Sequence, residues 1–526
     1  MNPTASIVAV TLVATATLVI GALGLRFSRT TSDFYVASRS VGPLWNASAI
    51  GGEYLSAGSF LGVAGLVLAF GADMLWYPVG WTAGYLVLLV LVAAPLRRSG
   101  AYTLPDFAES RLESAPVRRI SSVLVVAIGW LYLLPQFQGA GITLRTVTGA
   151  PAWVGGVVVA VVVTVNVLSG GMRSITFVQA FQYWLKLTAL LVPLAFLLLR
   201  WSADGWPSPA DSTAPPGALS SEQWVLPLSS GIEHPLYATY SLILATFLGT
   251  MGLPHVLVRF YTNPDGRAAR RTTLVVLVLL GSFYLLPALY GAMGRVYAPD
   301  LLTGGRDDTV VLELPSRMLD GMLGDGLGAL LTAGAFAAFL STSSGLTVSV
   351  AGVLSQDLLS RWLGGVRAFR VAGVLAVLVP LLLAVLARDL PIAQVVGLAF
   401  AVAASTFCPL LVLGIWWRRL TDVGAIAGLL VGGSLSGGAV VLTVLGMSDS
   451  GWTGALLSQP GAWTVPVAFA VMLVASLATP RRIAPNVNRT MVRLHLPEQI
   501  EVDRGDYQPR VARLGLSRRR RGVDER

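Results

Sequence analysis

Thirteen apolar segments, each long enough to cross a membrane, follow one another along the chain and constrain its fold more than any other feature. A hydrocarbon core of about 30 Å is crossed by roughly 20 apolar residues in an α-helix. The predicted spans are 4–25, 43–69, 72–96, 120–145, 152–168, 178–199, 236–256, 272–296, 324–355, 369–387, 391–416, 422–446 and 462–479. We therefore predict an all-α polytopic membrane protein of about 13 transmembrane helices.

The composition agrees with a chain that lies mostly within the bilayer. Hydrophobic residues make up 54% of the chain and charged residues only 12%, whereas about 25% of the residues of a soluble domain are charged. The net charge of +10 comes largely from arginines between the apolar segments, so we do not expect a nucleic-acid partner. Because Cys408 is the single cysteine, an internal disulfide is excluded.

The distribution of arginines predicts the orientation. If the 26–42 loop is cytoplasmic, eighteen arginines, among them Arg259, fall on the inner side and six on the outer side. Since cytoplasmic loops carry the excess of Lys and Arg, we place the N-terminus outside and the C-terminus inside the plasma (inner) membrane. The first segment lacks a basic n-region and a cleavage site, so we expect it to be a retained helix.

Two segments outside the spans are predicted to be irregular. The basic tail 480–526 ends in "LSRRRRGVDER" and is interpreted as a disordered cytoplasmic anchor for anionic lipid, with a regulatory or partner-binding role as the alternative. The outer loop 200–235 is rich in Ser, Pro, Ala and Gly, which favours an irregular connection.

Glu53 is the only acidic residue that we place deep within a span. It lies in "AIGGEYLSAGSFLGVAG" (49–65), where five glycines make a continuous helix unfavourable. A broken helix exposes backbone carbonyl and N–H groups, which are tolerated at membrane depth only where they line a protein-buried or water-filled site. The alternative is that these glycines allow close packing between helices.

A second interruption is predicted in "ATFLGTMGLPHVLVRF" (245–260), which contains Gly249, Gly252 and Pro254. Corresponding interruptions in two halves are typical of inverted-repeat transporters, whose site lies at the repeat interface. The predicted units are 1–42 (first helix and loop), 43–199 and 236–416 (two five-helix repeats), 417–479 (two C-terminal helices) and the tail.

A run of hydroxyl residues stands in the apolar stretch "AFLSTSSGLTVSV" (338–350). Ala338, Ser341 and Thr342 are spaced i, i+3, i+4, so their oxygens can converge on one helix face. With the free carbonyls of Gly52 and Leu55 they could complete a five-oxygen Na⁺ site, because a hard cation prefers oxygen ligands. The alternative is that the hydroxyls bond their own backbone or pack against a neighbouring helix.

The chain resembles the sodium:solute symporter family, most closely its cation/acetate (monocarboxylate) branch. The resemblance rests on "SDFYVASRSVGP" (32–43), "GEYLSAGSFLG" (52–62), "TLPDFAESR" (103–111), "GGMRSITFVQAFQ" (170–182), "GLPHVLVRFYT" (252–262), "FLSTSSGLTVSVAGVLSQDL" (339–358) and "FAVAASTFCPLLVLGIWWRR" (400–419). It implies a LeuT-type core of five plus five helices with flanking helices, alternating access and Na⁺-coupled uptake.

The family's sodium site carries over onto the backbone oxygens of Gly52, Leu55 and Ala338 and the side chains of Ser341 and Thr342. The acetate-like members usually have Asp where this chain has Glu53, and the longer side chain affects either the choice of cation or the size of the pocket. H⁺ is the alternative coupling ion. Candidate substrate-binding residues lie beside the two breaks and on the 120–145 span. They are Glu53, Tyr54, Ser56, Ser59, Gln136, Gln138 and Thr250.

The predicted function is secondary active uptake of acetate or a related short monocarboxylate with Na⁺. The alternatives are a family symporter for proline, another metabolite or a sugar, and a membrane sensor with a transporter fold. We do not expect an enzyme, because His234, His255 and His495 are scattered and no nucleophile–base pair is recognisable. The predicted partners are the carboxylate and the lipid bilayer; a small membrane partner protein is not identified by the sequence.

Overall fold

The computed structural model describes residues 2–24, 41–169, 172–212, 215–229, 233–386, 391–447 and 450–497, and these residues are mostly helical. Within them the only strand-like pairing is an isolated bridge between Thr421 and Ile483. The predicted all-α architecture is confirmed.

The helices of the first half are α1 (Pro3–Gly24), α2 (Pro43–Tyr54), α3 (Val63–Phe70), α4 (Trp76–Val87), α5 (Ala93–Arg98), α6 (Leu104–Leu112), α7 (Ala115–Thr148), α8 (Ala152–Ser169), α9 (Met172–Ala203) and α10 (Ser221–Val225). Those of the second half are α11 (Pro235–Gly252), α12 (Pro254–Tyr261), α13 (Gly266–Tyr297), α14 (Asp300–Thr303), α15 (Val310–Met318), α16 (Gly321–Val353), α17 (Gly365–Leu386), α18 (Ile392–Trp416), α19 (Asp422–Val444), α20 (Gly451–Ser458), α21 (Gly461–Ala478) and α22 (Val487–His495).

Eleven helical stretches among the described residues are long and apolar enough to cross a membrane. One of them, Gly58–Arg98, is 41 residues long and includes parts of two predicted spans. Ala152–Leu168 is a shorter apolar helix. Multiple membrane spans are therefore supported, whereas the count of thirteen and the division into units stay predictions.

The first predicted interruption is present. Helix α2 ends at Tyr54, and Leu55 leaves the helical region with φ −75° and ψ 89°. The chain resumes as a π-helical turn at Gly58–Gly62 before α3 begins. Leu55 still donates its N–H to the Gly51 carbonyl at 3.1 Å, whereas the carbonyls that follow Gly51 in α2 lack the N–H partners that an unbroken helix would supply.

The second predicted interruption is also present. Helix α11 ends at Gly252 and α12 begins at Pro254, with Leu253 extended between them (φ −75°, ψ 115°). Proline has no N–H and disfavours a helical conformation in the residue before it, which explains the break. Helix α9 packs against α2 and α16, and α11 packs against α4 and α18, so both breaks are enclosed by other helices.

The first part of the C-terminal tail differs from the prediction of disorder. Residues Val487–His495 form α22, which packs against α5 and α6. Val487, Met491 and Leu494 recur at helical spacing and are buried, and this short apolar period is what the sequence analysis overlooked. The Arg98 guanidinium donates to the His495 carbonyl at 3.1 Å. The arginine run of the tail lies outside the described residues.

Candidate functional site

Close approach between α2 and α9 defines one wall of the site. A Cβ added at Gly52 would lie 2.2 Å from the Gln179 carbonyl oxygen, and one added at Gly51 would lie 2.8 Å from the Tyr183 ring. Only glycine at these positions allows the two backbones to approach so closely. Gly51 and Gly52 therefore allow α2 to pack closely against α9, and the helix is also interrupted shortly after them.

Lys186 lies at the predicted cation position. This residue of α9 is fully buried, and its amino group donates to the Gly52 and Leu55 carbonyl oxygens, both at 2.6 Å. These are two of the three backbone oxygens of the predicted Na⁺ site. Lys186 is also the only lysine among the 526 residues, which is the signal that could have drawn attention to it.

The hydroxyl run of α16 faces the same break. Ser341 donates its hydroxyl to the Gly52 carbonyl, and Thr342 donates to the Glu53 carbonyl at 2.7 Å. Ser344 accepts a hydrogen bond from the Asn166 amide at 3.3 Å, while the buried Ser343 hydroxyl has no partner among the described residues. Ala338 is buried one turn earlier on the same helix. Ser341 and Thr342 thus contact the α2 break, and ligation of Na⁺ by the predicted residues stays a prediction.

These contacts distinguish the members of the run. We expect Ser341→Ala to lower the free energy of unfolding by about 1 kcal/mol, because the Gly52 carbonyl loses a buried hydrogen bond. The matched Ser343→Ala variant should change it by much less, since that hydroxyl has no partner among the described residues. Denaturant unfolding in detergent measures both values. Equal losses would mean that the run acts only through packing.

Glu53 forms a buried ion pair. Its carboxylate accepts from the Arg259 guanidinium of α12 at 2.8 Å, and the two side chains are 3% and 1% exposed. Arg259 also donates to the Thr176 hydroxyl at 2.8 Å and to the Gln179 side-chain oxygen. The prediction that Arg259 lies between two apolar spans is wrong, because Arg259 is buried in a helix of the core. The pair ties both interrupted helices to α9.

A cluster of aromatic rings connects the two breaks. The Tyr54 ring lies 4.9 Å from that of Tyr85 and 6.0 Å from that of Phe400. Phe400 is 5.8 Å from Trp81 and 5.9 Å from Tyr132. Tyr132 in turn lies 5.1 Å from His255, measured between ring centroids. We call these six residues the ring cluster; all of them are buried.

Several polar groups of the ring cluster have no hydrogen-bond partner within the part of the chain that the structure describes. The Trp81 indole N–H, the Tyr85 hydroxyl and both imidazole nitrogens of His255 are buried without a hydrogen bond to any described residue. Buried polar groups are nearly always paired in folded proteins. The unpaired groups of Trp81, Tyr85 and His255 therefore make the ring cluster the candidate ligand site.

Among the predicted substrate-binding residues, Tyr54 belongs to the ring cluster, whereas Ser56, Ser59 and Thr250 lie outside it. The Tyr54 hydroxyl bonds Thr250 at 2.8 Å and donates to the Trp81 carbonyl at 3.2 Å. The Ser59 hydroxyl lies 2.9 Å from that of Tyr284. Tyr54 and Thr250 thus link the two breaks, and Ser56 is buried in the turn that follows Tyr54.

The two glutamines hold different positions on α7. The Gln136 side-chain oxygen accepts the Ala57 N–H at 2.9 Å, and its amide donates to the Tyr132 carbonyl at 3.2 Å. Gln136 therefore joins α7 to the segment that follows the first break. Gln138 is half-buried, and because it follows Gln136 by two residues, it lies towards the other side of the helix.

A cavity of about 250 Å³ lies beyond the ring cluster. Tyr77 lines this cavity and also contacts Trp81, with 5.4 Å between their ring centroids. Trp224, from the 200–235 loop, packs at this end, where its indole donates to the Val67 and Leu68 carbonyls at 2.8 and 3.1 Å. One end of the core thus has an open cavity, and the other is held by the Glu53–Arg259 pair.

Solved transporters share this fold. A Na⁺-coupled sialic acid symporter in a substrate-bound outward-open state matches 91% of this chain and 98% of its own, with a TM-score of 0.66 and 15% identity. Mhp1, a nucleobase-cation-symport-1 family transporter in a closed conformation with bromovinylhydantoin bound, matches 88% of this chain and 99% of its own, with a TM-score of 0.51 and 14% identity. The predicted LeuT-type fold is confirmed.

Sequence comparisons give the family. The chain is 32% identical over 493 residues to the uncharacterized symporter YwcA of Bacillus subtilis, covering 89% of this chain and 93% of YwcA. It is 31% identical over 490 residues to a monocarboxylic acid transporter of Corynebacterium glutamicum, covering 86% of this chain and 88% of that protein. The model of the sodium:solute symporter family matches residues 34–432. The chain therefore belongs to the sodium:solute symporter family.

Proposed function

We propose that this protein is a secondary active transporter that takes up acetate or a related short monocarboxylate together with a cation, by alternating access. Family membership and fold point to a symporter and not to an enzyme. The monocarboxylate substrate is supported by the similar transporter of Corynebacterium glutamicum and by the chemistry of the ring cluster.

The observation that carries the proposal is the set of unpaired groups in the ring cluster. A carboxylate has two oxygens that accept hydrogen bonds, and the Trp81 N–H, the Tyr85 hydroxyl and a His255 N–H are donors without a described partner. Hydrogen bonds to an ionised acceptor are stronger than those between neutral groups. The aromatic faces around them suit the short alkyl group of acetate or propionate.

Other solutes of the family fit these groups less well. The ammonium of proline needs an acceptor, but the nearby Glu53 carboxylate is already bonded by Arg259. A hexose carries many hydroxyl groups, and each needs a hydrogen-bond partner in a buried site. Of the six ring-cluster residues, however, Phe400 has no polar side-chain group, and the hydroxyls of Tyr54 and Tyr132 already form hydrogen bonds. These two contrasts favour a small monoanion.

Alternating access is supported by the unequal ends of the core. The predicted topology puts the loop 200–235 outside, so the cavity lined by Tyr77 faces the outer side. The Glu53–Arg259 pair, with Thr176 and Gln179, then closes the inner side. Opening inwards would separate α12 from α2 and α9.

Two coupling ions are candidates. Na⁺ is supported by the family and by the Na⁺-coupled sialic acid symporter of the same fold. H⁺ is the alternative coupling ion.

The proposal is tested by transport into liposomes that contain the purified protein. We expect labelled acetate, propionate or pyruvate to accumulate under a Na⁺ or H⁺ gradient and to be competed by one another better than by proline or glucose. Proline uptake that acetate leaves unchanged would assign another substrate class.

The donors themselves are tested by Tyr85→Phe. Removing a hydroxyl that bonds a carboxylate costs about 1.5–3 kcal/mol, so we expect the KM for acetate to rise at least about tenfold. Tyr240→Phe is the matched control, because Tyr240 is 61% exposed on α11. If both variants have the KM of the unmodified protein, Tyr85 does not contact the substrate.

A further inference from the structure

Lys186 is the only lysine of a chain with 37 basic residues, and it is buried at the centre of the fold. Its side chain reaches from α9 to the interrupted end of α2. There the amino group donates to the Gly52 and Leu55 carbonyl oxygens at 2.6 Å each. Both oxygens belong to the break that the sequence analysis assigned to a cation.

The amino group has no other partner that explains its burial. Among the described residues it forms no ion pair, and the nearest acidic residue along α2, Glu53, is bonded by Arg259. A buried ammonium is stabilised only by a charge partner or by several oxygen acceptors. Carbonyl oxygens freed by a helix break provide the second kind of partner.

A free ion and this amino group cannot share the position. Hard cations of the size of Ca²⁺ lie about 2.3–2.6 Å from their oxygen ligands, and the Lys186 nitrogen is 2.6 Å from both carbonyl oxygens. An ion bound to the same two oxygens would overlap the nitrogen or face its charge at contact distance.

The contacts of Lys186 also perform the structural task of a bound ion. The Gly52 carbonyl accepts from Lys186 of α9 and from Ser341 of α16. Thr342 adds a second bond from α16 to the end of α2. Three helices are thus joined around the break without an ion.

We infer that the Lys186 amino group replaces Na⁺ at this site, so that uptake by this protein does not require Na⁺. The effect on uptake rests on the proposed function, whereas the occupation of the site does not. Of the two candidate coupling ions, H⁺ then supplies the driving force.

Transport provides the first test. Uptake of labelled acetate into proteoliposomes is measured with a fixed pH gradient and membrane potential, while external Na⁺ is replaced by K⁺ or N-methylglucamine. We expect the rate to stay within about twofold, well below the tenfold loss that corresponds to about 1.4 kcal/mol of lost binding. Loss of at least tenfold on Na⁺ removal would overturn the inference.

A second test reads the site without transport. Protein grown with isotope-labelled lysine gives one lysine side-chain signal, because Lys186 is the only lysine. We expect this NMR signal to be the same with and without saturating NaCl, with choline chloride as the ionic-strength control. A Na⁺-specific shift would mean that Na⁺ displaces the amino group. If no solute is transported, the proposed function fails while this test still decides the inference.

Two substitutions on α9 provide a third test. Lys186→Met keeps the length of the side chain, but it removes the donor from the Leu55 carbonyl and leaves the Gly52 carbonyl with Ser341 alone, so uptake should fall at least about tenfold. Leu191→Met on the exposed side of α9 is the matched control and should transport normally. A Lys186→Met protein that folds and transports acetate at the unmodified rate would contradict the inference.

Discussion

Arg259→Met is expected to abolish uptake and to lower the free energy of unfolding by about 3–5 kcal/mol, the usual cost of removing one partner of a buried ion pair. The Glu53 carboxylate would remain buried without its guanidinium, and Thr176 and Gln179 would lose a donor. Denaturant unfolding in detergent and acetate uptake in liposomes measure the two effects.

The control is Arg317→Met. Arg317 pairs with Asp300 and Glu313 outside the core, and its side chain is 26% exposed. Exposed pairs contribute only about 0–1 kcal/mol, so this variant should keep most of its stability and uptake. A second comparison is the double variant Glu53→Leu with Arg259→Met, which should recover stability that Arg259→Met loses. Equal effects of Arg259→Met and Arg317→Met would show that the Glu53 pair is not a buried anchor.

Gly52→Ala is expected to have the second large effect. The added Cβ would lie 2.2 Å from the Gln179 carbonyl oxygen and 3.2 Å from the Ser341 hydroxyl. A backbone oxygen cannot move aside as the end of a flexible side chain can, so α2 must move away from α9. Overpacking of this kind costs about 1–3 kcal/mol or more. The shift would also pull the Gly52 carbonyl from Lys186, so we expect uptake near background.

Gly437→Ala is the matched substitution. Gly437 lies within α19, and no atom comes within 4 Å of its added Cβ. Alanine favours a helix over glycine by about 1 kcal/mol, so this variant should be as stable as the unmodified protein or more so. Normal uptake by Gly52→Ala would rule out the close contact between α2 and α9.

The breaks could be predicted from the sequence because their causes are local. Gly51 and Gly52 weaken α2, and Pro254 cannot continue α11, so each interruption is visible in a short segment. The hydroxyl run was also recognisable, and the structure brings Ser341 and Thr342 to the first break.

The partners across the core could not be predicted in this way. Lys186 lies 134 residues from Gly52 along the chain, and a hydropathy window averages its charge with the apolar residues around it. Arg259 was assigned to a loop because the positive-inside rule counts arginines without reporting burial. The unpaired groups of Trp81, Tyr85 and His255 become meaningful only when their neighbours are known.

The hydrogen bonds of Trp224 join the 200–235 loop to α3, two parts of the chain that are far apart in sequence. Gly71, with φ +70°, leaves room for the Trp224 carbonyl, while the Trp224 indole bonds the last turn of α3. If α3 tilts during the transport cycle, the loop must travel with it or break these bonds. Substitutions at Trp224 should therefore change the rate at which this end of the core opens, while the affinity of the proposed site in the ring cluster for its solute stays unaltered.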